Sequence, residues 1–220
     1  MTIPRPLPEG GLAFTHQPAV AEFNVPAKTF VSARPLISGA ATGALVFSRA
    51  AGEDRVLLLQ RAPHDSMPLR WEIPGGACDA EDETVLHGLA RELWEEAGLR
   101  LTNVVRQVGQ EDVFLTRRGL AVVKVTFEVE VETPTPAPAG SSESNGDLEK
   151  QVLPEVTLDP NEHVRFVWAT EEECTQGKVK APGSASGEVM DIRFTSEAQR
   201  RVVLLGFKLR REDNERSIEG

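Results

Sequence analysis

Residues 83–99, ETVLHGLARELWEEAGL, carry two stripes of opposite character at helical spacing. At about 100° per residue, Leu86, Leu89, Ala90, Leu93 and Ala97 share one face, so the stretch reads as a helix with a buried side. Glu92, Glu95 and Glu96 fall on the adjoining stripe at i, i+3 and i+4, where side chains are neighbours. Like charges at those spacings cost an isolated helix roughly 0.2–0.5 kcal/mol per pair. An acidic helical face is ordinarily just solvated surface. Three carboxylates held beside a buried stripe are also what a hard cation needs, and oxygen donors suit Mg²⁺ or Mn²⁺ better than zinc.

The flanking residues favour the second reading. Upstream, WEIPGG (71–76) reads as a short strand running into a glycine turn. An acidic loop, residues 77–82, leads to Glu83 and Thr84, which are helix-start signals. Gly98 stands where a left-handed residue is expected to close the helix. Strand, turn, loop, carboxylate helix and glycine stop form one compact unit.

That unit resembles the Nudix box, G-x5-E-x7-R-E-U-x-E-E-x-G-U with U aliphatic. Glu83, Arg91, Glu92, Leu93, Glu95, Glu96, Gly98 and Leu99 match every defined position of its helical part. Six residues separate Gly76 from Glu83 where the pattern has five, which reads as a one-residue insertion in the loop. Whether Asp79 or Glu81 replaces the family's usual loop acid is left open. The resemblance implies an α/β fold, a Nudix-type α/β/α sandwich in a single domain with a mixed sheet. It is sharp over 71–99 and diffuse elsewhere.

The resemblance also implies the chemistry: a metal-dependent hydrolase, a pyrophosphohydrolase of nucleoside diphosphates linked to another moiety. Mg²⁺ or Mn²⁺ would sit among Glu92, Glu95 and Glu96. Glu83 is open to a metal role or to a purely capping one at the positive end of the helix dipole. Arg91 would pair with a neighbouring glutamate and fix its rotamer. Glu92 is the first choice as general base, by resemblance to the MutT-type enzymes. Glu162, just before His163, is where several relatives place an extra acid near the metals, although an exposed strand-start glutamate is the plainer reading. Gly75 and Gly76 would meet substrate, and Arg61 and Arg70 could present guanidinium forks to phosphate. Glu111, Asp112 and His64 are weaker candidates, and His87 reads as structural. Nothing selects a subfamily: the chain has no tyrosine, and Leu115 stands where ADP-ribose hydrolases often carry a proline.

Composition suits that class. Twenty-four basic against thirty-four acidic residues leave a formal charge of −10, which argues against bulk nucleic-acid binding. A nucleotide-type small molecule is the expected partner, and a homodimer is compatible with the sequence. No apolar run approaches the roughly 20 residues that cross a bilayer. The first thirty residues hold five prolines and no signal-peptide core, so a cytoplasmic location is expected. Cys78 and Cys174 are too few for a disulfide framework and lack zinc spacing.

The remaining chain reads as an extended proline-rich arm (1–35) and a Nudix domain (36–211). Strands are expected at 37–48, 55–61, 101–108, 120–131 and 164–168, with a short acidic helix start at Thr170. Residues 132–150 read as a flexible insert and 178–187 as a second loose segment. A closing helix over 195–211 would bury Ala198, Val202, Leu205 and Leu209, followed by a tail, 212–220. A Nudix-like module that binds a nucleotide or a protein without hydrolysing anything is the rival from another class. In that case the carboxylates would be expendable.

Overall fold

The computed structural model describes residues 5–50, 52–133, 153–180 and 188–219. An eight-stranded mixed sheet runs in the order β1 (Thr15–His16), β5 (Leu101–Gln107), β7 (Ala121–Val131), β2 (Gly39–Ala50), β3 (Glu53–Arg61), β4 (Trp71–Glu72). β6 (Asp112–Leu115) lies on β7, and β8 (His163–Thr170) on β3. Parallel pairing joins β2 to β7 and β1 to β5, while the other ladders of this sheet are antiparallel.

The strands bury both faces, as a sheet covered by helices must. In β3, Leu57 and Leu59 enter one apolar cluster and Val56 and Leu58 the other. The first cluster lies under α2 (Val85–Ala97) and the second under α4 (Glu197–Glu219). The architecture is therefore the expected α/β/α sandwich. Two shorter helices, α1 (Ala27–Ser32) and α3 (Glu171–Gln176), and a hairpin of β9 (Lys178–Lys180) and β10 (Val189–Asp191) complete it. Thr170 and Glu173 close a capping box on α3, as the acidic helix start foretells.

β2 makes the site possible. Its first half, Gly39–Val46, pairs with β7, and its second half, Phe47–Ala50, pairs with β3. The edge left open beside the first half is filled by the glycine loop. Cys78 donates its N–H to the Ala40 carbonyl, Thr42 to Gly76 and Ala44 to Pro74, at 2.8–2.9 Å. A loop that satisfies the backbone of a central strand is fixed in place.

Three expectations are corrected. Residues 5–35 are no free arm: β1 pairs with β5, and Val20, Phe23 and Phe30 are buried in the α2-side core. Pro18 and Pro26 open short helical turns there, because a proline's fixed φ is tolerated at a helix start. The closing helix runs on to Glu219, through the expected tail. Its buried stripe is Val203, Gly206 and Phe207, one position round from the expected one. A Cβ at Gly206 would come within 2.9 Å of Leu45 and 3.0 Å of Phe47, so the helix approaches β2 by its glycine and its rotation is set. The insert expected at 132–150 lies, from 134 onward, outside the described residues, as do residues 181–187 of the second loose segment.

Candidate active site

Thr84 caps α2 by accepting the His87 N–H, and Gly98 closes it at φ 67°, both as expected. Leu86, Leu89, Ala90, Leu93 and Ala97 are all fully buried. That packing turns the acidic stripe toward the glycine loop. Gly75 donates its N–H to Glu96 Oε2 at 2.7 Å. A Cβ at Gly76 would meet the Glu92 carboxylate at 2.6 Å, and one at Gly75 (φ 139°) the Thr42 carbonyl at 2.3 Å. Both glycines are needed for backbone to approach this closely.

Arg91 organises the rim. Its guanidinium donates to Glu92 (2.9 Å), Glu95 (2.8 Å), the Ala77 carbonyl (2.8 Å) and both oxygens of Asp82 (2.9 and 3.0 Å). Neither Asp79 nor Glu81 takes the leading place on this arginine; Asp82 does, with Asp79 more distant at 3.6 Å. Gly88 makes room for Asp82, since a Cβ there would lie 2.8 Å from its carboxylate. Glu83 faces the other way, 81% exposed and beside His87 at 3.6 Å. The extra residue is therefore accommodated at the helix start. Gly76 and Asp82 keep the five-residue spacing, and Glu83 is set apart from the carboxylate cluster. The spacing Gly76-x5-Asp82 was the available signal.

The far wall comes from β4 and β8. Glu72, 5% exposed, faces His163 Nε2 at 3.1 Å and pairs with Arg61. Burial works against its ionisation. The His163 hydrogen bond and the charges of Arg61 and Lys124 outweigh it, so Glu72 stays below the usual carboxylate range. An ionised Glu72 only accepts, so His163 donates from Nε2. The buried Nδ1 is left with no partner among the described residues. Glu96, Glu162 and His163 bring one donor atom each within 4.8 Å of one another.

These carboxylates are poorly compensated. Burial pushes Glu92 up to about 7, with Glu95 and Glu162 adding repulsion that Arg91 only partly offsets. Burial, then Glu72 and Glu92, push Glu96 well above the usual range. Glu162 is exposed at the strand start, as the plainer reading has it, yet partial desolvation and the charges of Asp159 and Glu95 raise it. Glu96 and Glu162 have no arginine or lysine ion pair among the described residues.

A cleft of about 700 Å³ adjoins the cluster, lined by Glu72, Gly75, Gly76 and Arg61, by β6–β7 and by α4. Arg61 is tied to Asp65 (2.7 Å) and Glu72, so it is no free phosphate fork. Arg70 is exposed on a different depression, with Ser66, Ile192 and Arg200. Glu111 lines the cleft but pairs with Arg34. Lys124 and Arg201, which the sequence reading passed over, line it too.

A carboxylate helix set against a glycine loop in an α/β/α sandwich defines a class of enzyme, and comparison with known proteins supplies its family. The NUDIX domain family model matches residues 38–180, and the chain belongs to the Nudix hydrolase family. A MutT-like protein of Streptomyces ambofaciens is 43% identical over 49 residues, 22% of this chain and 29% of that protein. The matched stretch thus spans under a third of that relative. The solution structure of the E. coli ORF135 protein aligns with TM-score 0.51 at 19% identity, over 80% of this chain and 92% of that one. The MutT protein from Methanosarcina mazei Go1 aligns with TM-score 0.49 at 20% identity, over 80% and 97%. At 19% identity the likeness to the ORF135 protein speaks to the fold alone.

Proposed function

We propose that this chain hydrolyses the phosphoanhydride bond of nucleoside diphosphates linked to another moiety, using Mg²⁺ or Mn²⁺. The observation that carries this reading is the uncompensated cluster: Glu96 is 5% exposed, and among the described residues its carboxylate accepts a hydrogen bond only from the Gly75 N–H. A buried carboxylate without a cation is costly. The carboxylate oxygens of Glu92, Glu96 and Glu162 suit a hard divalent ion, while the imidazole nitrogen of His163 beside Glu96 and Glu162 is a softer donor. Glu95, held by Arg91 at the rim, is next to that set. Such an ion, when bound, neutralises phosphate oxygens and lowers the pKa of a bound water.

The chain's own groups supply the rest. Arg91 holds the Glu92 and Glu95 rotamers, and the Gly75 N–H orients Glu96. Gly76, lacking a Cβ, lets the loop backbone pack directly against the Glu92 carboxylate and fix its position. Glu92, kept ionised beside the cation, would take a proton from water at its carboxylate.

The test is a panel of nucleoside diphosphate derivatives incubated with the full-length chain, with and without Mg²⁺ or Mn²⁺, reading released phosphate and nucleotide. Metal-dependent turnover of at least one member is expected. A chain that bound metal and nucleotide with no turnover would instead be the binding module.

A further inference from the structure

The cleft beside the carboxylates contains three cations: Arg61, Lys124 and Arg201. Arg61 is neutralised by two carboxylates. Lys124 and Arg201 take part in no ion pair among the described residues. Asp112 stands opposite Lys124 in the β6–β7 register, yet no salt bridge joins them.

The position of Lys124 is built. Its stem lies over Gly43, where a Cβ would come within 3.1 Å of Lys124 Cε and 2.9 Å of Ile73. Gly43 in turn abuts Gly75, whose N–H holds Glu96. The lysine therefore reaches from β7 toward the carboxylates, where its charge favours ionised Glu72 without a direct ion pair among the described residues. Along the same face of the sheet, Val122 pairs with Phe114, which is 42% exposed and lines the cleft. Two residues of strand separate Lys124 from Val122, about 7 Å. Glu72, the Gly75–Gly76 loop, Lys124 and the Phe114 ring thus line a single cleft, with Glu96 held behind the loop by the Gly75 N–H.

We propose that Lys124, with Arg201 from α4, holds the phosphate chain of the substrate, and that Phe114 stacks on its base. The inference rests on the hydrolase reading and deepens it: the ligand is a nucleotide recognised at both ends, not a phosphorylated sugar alone. An ammonium is a point charge that tolerates different phosphate geometries, and an exposed ring accepts any base by its face.

Binding of two non-hydrolysable probes to the full-length chain with Mn²⁺ tests this by calorimetry: methylene-bridged ADP and methylenediphosphonate. Lys124→Met, which keeps the stem, should weaken both at least about tenfold, the scale of a lost charged hydrogen bond. Lys124→Arg should recover part of that loss, and Arg201→Gln should weaken both by a smaller factor. Phe114→Ala should weaken the ADP analogue at least about fivefold, as loss of one stacking contact does, and leave the diphosphonate within about twofold. Melting temperatures of all variants should match the parent. Unchanged diphosphonate affinity in a folded Lys124→Met overturns the phosphate assignment, and equal losses for both probes in Phe114→Ala overturn the base assignment. Neither result touches turnover by the parent, and absence of that turnover would overturn the hydrolase reading without deciding these affinities.

Discussion

Two clusters of arginine and carboxylate sit on this molecule and differ in how their charges balance. Under α4, Arg210 donates to Glu128 (2.7 Å) and Asp54 (3.2 Å), and Arg106 donates to Glu128 (2.7 Å) and pairs with Asp213. Arg216 adds a pair to Asp213 at 3.1 Å, so three guanidinium groups serve three carboxylates. The Arg106 hydrogen bond holds Asp213 below the usual carboxylate range. On α2, one guanidinium serves Asp82, Glu92 and Glu95, while Glu96 and Glu162 lie beyond its reach. There burial drives Glu92 up to about 7. The balanced cluster fastens a helix to a sheet. The unbalanced one leaves buried carboxyl groups without a countercharge, the charge that the proposed cation would supply.

The difference predicts, first, that Glu92→Gln lowers turnover on the best substrate at least about a hundredfold, the scale of general base catalysis. The metal-free melting temperature should stay the same or rise slightly, because like-charge repulsion on the helix is relieved. Steady-state kinetics beside a thermal scan checks both; activity within a few-fold of the parent would move the central role to Glu95 or Glu96.

Second, Arg210→Met should cost about 2 kcal/mol of stability, because Glu128, nearly buried, loses a partner. Denaturant unfolding would measure that loss. The metal-induced rise in melting temperature should survive it unchanged; a lost rise would make the two clusters one functional unit.

Third, and smallest, the metal-induced rise should grow with pH. Glu92 has a folded pKa above its ordinary value, so its protonation stabilises the metal-free fold below the ordinary carboxylate range. That contribution is lost as pH rises through about 7. A metal needs the ionised form, so Mn²⁺ should raise the melting temperature more at pH 8 than at pH 5.5. The expected gap is about 3 °C, roughly 1 kcal/mol in a domain of this size. A larger rise at the lower pH would contradict the cluster as the metal site.

The two clusters also differ in how well the sequence shows them. The α2 carboxylates share one helix, so their spacing alone puts them together. Arg210 and Asp54 are 156 positions apart and meet only because α4 packs on the sheet. The same reason hides Lys124, whose role depends on Gly43 and Gly75 from two other segments. Prolines made residues 5–35 look extended, and no local pattern revealed that Phe23 and Phe30 would fill the core.

The sequence by itself determined the helix within 83–99, its cap and glycine stop, its buried stripe and the three adjacent glutamates, all consequences of a 3.6-residue period acting within one segment. Tertiary structure alone decided that Asp82 rather than Glu83 serves Arg91, that Arg61 is already spoken for, and that α4 is rotated about Gly206 so that Val202 and Leu205 line the cleft. Each of those outcomes depends on close packing between segments distant in the chain, where a difference of one side chain's volume sets which face is buried.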